Sequence, residues 1–108
     1  MAREKFQTLT EQMFYILLCL GQERCGADVM AWISETTGGR VAVGPGTLYN
    51  LLEQFLQAGY IRETKVEGRK RSYVITSIGQ AALEAEVRRL RTLTADYERL
   101  AEPEGGAL

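Results

Sequence analysis

Three stripes of apolar residues at helical spacing come first along the chain, then a pair of short alternating runs, then one long stripe. Met13, Phe14, Leu17, Leu18 and Leu20 fall at helical spacing, with Gly21 as a stop. Thr10 stands just ahead as a cap for free N–H groups, and Glu11 sits in the first turn, where the helix dipole favours an acid. A largely buried first helix is therefore expected from about Thr10. Val29, Met30 and Ile33 predict a second helix over 27–37, closed by Gly38 and Gly39, with Trp32 just off the stripe as a packing residue.

The third helix opens on Gly44-Pro45-Gly46-Thr47, because proline suits a first turn whose N–H has no partner anyway. Leu48, Leu51, Leu52 and Phe55 form its stripe and Gly59 ends it. At about 100° per residue, Gly46, Asn50, Glu53 and Gln57 fall opposite that stripe, with Thr47 and Gln54 on one shoulder and Tyr49 on the other. The outward face is thus small and polar near its start, which suits entry into a DNA major groove.

Residues 60–66 and 72–76 are rich in Tyr, Ile, Thr and Val and flank Glu67-Gly68-Arg69-Lys70-Arg71, the pattern of a hairpin with a basic turn. Thr76 or Ser77 can cap a last helix over 78–100, after which Glu102-Pro103-Glu104-Gly105-Gly106 predicts a flexible tail. On that helix Leu83, Leu90 and Tyr97 repeat every seven residues, and Val87, Leu93 and Leu100 lie on the same side. A one-sided apolar helix needs a partner. The shorter helices already have theirs, so a second copy of the chain is expected along this seam.

Length and composition narrow the field. A chain of 108 residues supports one core, and 45% hydrophobic with 25% charged residues is the balance of a folded domain rather than a disordered one. The longest apolar run, 13–20, is far short of the roughly 20 residues a bilayer span needs, and the N-terminus lacks the pattern of a secretion signal. A cytoplasmic protein without a membrane partner is expected. With no histidine, a Cys/His zinc site, a Ser-His-Asp triad and a Cys-His dyad are excluded. Cys19 and Cys25 are expected as reduced thiols; Cys25, in a turn beside Arg24, is the candidate for redox sensitivity but has no base to make it a nucleophile. No catalytic residue, metal or cofactor is expected.

The net charge of −1 supplies no global attraction to nucleic acid, so any such site must come from local sorting. Arg62, Lys65, Arg69, Lys70 and Arg71 crowd the hairpin, whereas Glu84, Glu86, Asp96, Glu98, Glu102 and Glu104 gather in the tail half. Three helices, a basic hairpin and a fourth helix give a mainly α fold with a small β-hairpin wing (α+β). This is the order of a winged helix-turn-helix with a C-terminal dimerisation helix. The division expected is 1–77 for DNA binding, 78–101 for dimerisation and 102–108 as tail.

The sequence resembles the PadR family of bacterial transcription regulators. The resemblance runs through Leu9-Thr10-Glu11 with Phe14-Tyr15-Ile16-Leu17, then Gly44-Pro45-Gly46-Thr47-Leu48-Tyr49, then Gly68-Arg69-Lys70-Arg71-Ser72-Tyr73, Thr76 and Gly79. It implies a homodimeric DNA-binding regulator, usually a repressor, paired through its last helix. The short C-terminus is similar to that of a smaller subgroup, some members of which take flat aromatic compounds between subunits, so a small-molecule effector is a further partner the resemblance implies. Two positions depart from the pattern: Ala27 follows Gly26 where many relatives carry tyrosine, and the last helix offers Tyr97 where drug-binding relatives carry tryptophan.

In the expected mechanism Thr47 and Asn50 touch base edges, Gln54 extends that contact, and Tyr49 reaches a phosphate. Arg69, Lys70 and Arg71 hold the duplex backbone or the adjacent minor groove. Pairing through Leu83, Val87, Leu90, Leu93, Tyr97 and Leu100 makes the operator an inverted repeat. The competing expectation is a winged helix that has lost DNA and binds an acidic protein through the same hairpin.

Overall fold

The computed structural model describes residues 8–101. Helix α1 spans Glu11–Cys19, strand β1 Arg24–Cys25, α2 Gly26–Thr36, α3 Pro45–Ala58, β2 Ile61–Glu67, β3 Lys70–Ile75 and α4 Ser77–Leu100. The tail expected over 102–108 lies outside the described residues.

Each helix starts where the local chemistry directs. The Thr10 hydroxyl accepts the Met13 N–H, and the Met13 sulfur accepts the Thr10 N–H in return, so two first-turn donors are satisfied together. Pro45 occupies the first turn of α3 behind Gly44, and Gly59 ends that helix at φ 79°, the left-handed conformation that glycine reaches without steric cost. Thr76, not Ser77, caps α4: its hydroxyl accepts the Gly79 N–H and donates to the Gly59 carbonyl at 2.6 Å, tying the start of α4 to the end of α3.

The core lies where α1, α2, α3 and the sheet converge. Ile16, Leu17, Leu20, Val29, Ile33, Leu48, Leu52 and Phe55 are fully or almost fully buried, and Tyr60 stacks on Phe55 at 5.9 Å between ring centroids. Val41 and Val43 fold into the same core from the loop between α2 and α3. The Thr37 hydroxyl accepts the Val41 N–H there, and Gln12 donates to the Ala42 carbonyl. α1 is less completely buried than its stripe predicts, because Leu18 projects outward at 44% exposure.

The sheet departs from a simple hairpin. It has three antiparallel strands in the order β1-β3-β2, with Arg24 opposite Tyr73 and Cys25 opposite Ser72. Cys25 is therefore in a strand rather than a turn, and it is buried. Two residues are too few for strand alternation to register in a sequence. The turn is also tighter than expected: Glu67 pairs with Lys70, so only Gly68 and Arg69 form the loop, and Lys70 and Arg71 lie in β3. Gly68 has φ 64° and Arg69 does not share that sign, the pattern a type II′ turn requires. A register shift between Glu63 and Lys65 marks Thr64 as the extra residue of a bulge, and the Thr64 hydroxyl donates to the Glu23 carboxylate.

Candidate nucleic-acid interface

The first turns of α3 are bare. Thr47, Tyr49 and Asn50 are exposed, Gln54 is half-buried, and a Cβ at Gly44 or Gly46 would meet no atom within 4 Å. Tyr49 leans back across the start of α2, where a Cβ at Gly26 would fall 2.5 Å from its hydroxyl oxygen. Only glycine leaves room for the ring there. Glu53 is also exposed on this face, with the Gln57 amide donating to its carboxylate at 3.3 Å.

The wing presents its cations to the same side. Arg69 stands in the turn and Lys70 and Arg71 follow it, all three exposed. Arg71 is paired with Glu63 at 2.8 Å, whereas Arg69 and Lys70 have no acidic partner among the described residues. A cleft of about 430 Å³ opens between α3, the start of α2 and the wing, and its walls bring together Cys25, Gly26, Ala27, Tyr49, Arg69, Lys70, Arg71 and Tyr73. Of the residues expected to meet DNA, Tyr49 and the three wing cations share this cleft. Thr47, Asn50 and Gln54 belong to α3 but are not on its walls.

Sequence reasoning missed Tyr73 and the β1–α2 corner. Tyr73 is 5% exposed, and burial, followed by the nearby Glu63 carboxylate, pushes its hydroxyl above the usual phenol range. Its signal was available, since Arg71 and Tyr73 are two residues apart on one strand and share a face.

α4 divides into two parts. Leu83 packs against the core of its own chain and Val87 is half-buried, whereas Leu90, Leu93, Tyr97 and Leu100 are 41%, 52%, 65% and 68% exposed. Phe14, Val87 and Leu90 line a shallow groove between α1 and α4. Below it Glu86, 5% exposed, accepts the Leu9 N–H at 3.2 Å and is bonded twice by Arg89. Those Arg89 bonds hold the Glu86 carboxyl below the usual carboxylate range despite its burial. No cluster of groups able to hold a metal ion occurs among the described residues.

Helix-turn-helix, wing and terminal helix define a winged helix-turn-helix protein of the transcription-regulator class. The model of the transcriptional regulator PadR-like family matches residues 16–85, and the chain belongs to that family. The fold is shared with RosR of H. salinarum, at 23% identity and a TM-score of 0.62 over 86% of this chain and 96% of that one. It is shared too with a transcriptional regulator from Clostridium thermocellum, at 17% identity and a TM-score of 0.71 over 85% of this chain and 93% of that one. PadR of Bacillus subtilis, solved in complex with operator DNA, is 23% identical with a TM-score of 0.61, covering 68% of this chain and 45% of its own. No curated protein matches the chain.

Proposed function

We propose that this chain is a sequence-specific DNA-binding transcription regulator, a cytoplasmic repressor that acts as a homodimer on an inverted repeat. One observation carries the reading: Tyr49 of α3 and the cations of the wing line one open cleft, and Thr47 and Asn50 are exposed on the same helix. A base reader beside phosphate anchors is the arrangement duplex recognition needs. The relative from Bacillus subtilis, which has the same fold and is bound to operator DNA, supports it.

In this reading Thr47 and Asn50 meet base edges in the major groove, Gln54 extends the contact and Tyr49 touches a phosphate. Arg69 and Lys70 neutralise phosphates directly, and Arg71 does so by exchanging Glu63 for one. Residues 1–77 carry the DNA surface and 78–101 the dimer contact. The exposed distal seam of Leu90, Leu93, Tyr97 and Leu100 supports a second copy as the partner of α4.

The test replaces Thr47 and Asn50 with alanine and compares binding to the chain's own upstream DNA with binding to random duplex. Affinity for the specific site is expected to fall by about 1 to 3 kcal/mol per lost base contact, with random duplex nearly unaffected. Equal losses on both would mean that these side chains hold backbone and do not read sequence. Absence of any duplex binding by the unaltered protein would favour the protein-interaction alternative.

A further inference from the structure

The segment that leads into α3 is held from two sides. Along 40–43 the chain alternates: Val41 and Val43 are buried in the core, while the residues at 40 and 42 are fastened to α1. The Arg40 guanidinium donates to the Glu11 carboxylate at 2.5 Å and to the Tyr15 hydroxyl at 3.1 Å, and it lies 5.9 Å from the centre of the Tyr15 ring. The Gln12 amide donates to the Ala42 carbonyl at 2.9 Å. Gly44 follows directly as the cap residue of α3, and its carbonyl accepts the Leu48 N–H. No slack residue therefore stands between the fastened segment and the turn that carries Thr47. On the α2 side the segment joins through Gly38 and Gly39, at φ 61° and 81°, where a Cβ would meet nothing within 4 Å. The Arg40 and Glu11 side chains are 57% and 61% exposed, so their ion pair adds little to stability, and the two valines already anchor the loop. What the contacts of Arg40 add is direction.

We propose that Arg40 is a positioning residue for sequence reading: by clamping the entry of α3 onto α1 it sets the angle at which Thr47 and Asn50 meet the bases, without itself touching the duplex. Hydrogen bonds to base edges weaken steeply when misaligned, whereas attraction to phosphates tolerates a tilted helix. Loss of the clamp therefore costs discrimination and not general affinity. The choice of α1 as the anchor has a second consequence. Glu86 of α4 accepts the Leu9 N–H at the entry to the same helix, and Glu11, Tyr15, Glu86 and Arg89 line one cavity of about 270 Å³. Arg89 is committed to Glu86 there, which leaves Glu11 to Arg40. The recognition helix and the terminal helix thus take their directions from one element.

The inference rests on the DNA-binding reading, and the experiment separates the two. Arg40→Met, which keeps the stem and removes the fork, Glu11→Ala and the double variant are titrated with the chain's own upstream DNA and with a random duplex. Arg40→Met is expected to lower the ratio of specific to random affinity about tenfold, the order of one lost base contact, with the salt slope and the melting temperature nearly unchanged. Glu11→Ala should act in the same direction, and the double variant should lose no more than the larger single loss, because both changes open one clamp. A salt slope lowered by roughly 0.9 in Arg40→Met, together with tighter binding in Glu11→Ala, would make Arg40 a phosphate anchor restrained by Glu11 and overturn the positioning role. A ratio retained in Arg40→Met would also overturn it, and a fall in melting temperature alongside would reduce the clamp to a structural tie. Failure of the unaltered protein to bind any duplex would overturn the DNA-binding reading and, with it, the role in sequence reading. Amide NMR of Arg40→Met would still decide whether the clamp orients α3: signals of Gly46 to Asn50 should shift, and changes confined to the neighbours of Arg40 would overturn the clamp itself.

Discussion

Two glycines illustrate how close approach at a single residue divides stability from function. A Cβ at Gly79 would fall on the carbonyl oxygen of Tyr60, and that oxygen is fixed by accepting the Thr76 N–H at 2.9 Å. Backbone cannot swing aside, so Gly79→Ala is expected to destabilise the fold by about 1 to 3 kcal/mol or more, read from chemical denaturation. At Gly26 the obstacle is the far end of the Tyr49 side chain. Gly26→Ala should therefore displace the tyrosine at small cost in stability, while weakening duplex binding. Comparable stability losses in the two variants would mean that Tyr49 is as rigid as backbone. Cys19 gives a third case: it is 1% exposed, and burial pushes its thiol up to about 11. The thiol is ionised more readily in the unfolded chain, so its contribution is intact below about pH 9 and is lost as pH rises towards 11. The fall in thermal stability across that window should flatten in Cys19→Ala, whatever the offset from the cavity.

At the scale of elements, the wing combines opposed charges. Arg69 and Lys70 are free, but Arg71 already has Glu63. The pair is largely exposed, so it adds little stability, yet Glu63 must be displaced before Arg71 can neutralise a phosphate. Alanine at Arg69 and Lys70 should each lower the steepness of log affinity against log salt by roughly 0.9, with sequence preference retained. Alanine at Arg71 should lower it by less, because removing Arg71 also leaves Glu63 facing the duplex. Equal slopes for all three would mean that the ion pair does not persist at the interface. What the sequence revealed of these elements follows from period and punctuation. The third helix was legible because Pro45 and Gly59 bracket a stripe that recurs at three and four residues, and the wing because Gly68 separates two β-branched runs. The third strand was not, because two residues carry no alternation. The cleft was not either, since its walls come from the β1–α2 corner, α3 and β3, and no spacing along the chain encodes their meeting.

For the whole molecule, the decisive question is what covers the distal half of α4. The proximal half has its own ties: Leu83 reaches the core, and Glu86 joins α4 to Leu9 at the entry to α1. These ties fix the direction in which the helix leaves the domain. Beyond them Leu90 and Leu93 lie in the open at 41% and 52% exposure, and Tyr97 and Leu100 continue the seam. If a second copy packs there, two recognition helices sit at a fixed separation, and half-sites roughly 34 to 36 Å apart or a multiple of that follow. Replacing Leu90 and Leu93 with glutamate places four carboxylates in one dimer seam, at a cost of several kcal/mol for each ion that becomes buried. Sedimentation is expected to show a monomer. Because the core from α1, α2, α3 and the sheet does not use these residues, circular dichroism should retain the helical signal. Affinity for a two-half-site duplex should then drop steeply, since each domain binds without the tethering gain of its twin, while affinity for a single half-site should change little. A variant that remains a dimer would place the partner contact elsewhere on the molecule, and the inverted-repeat operator would lose its geometric basis.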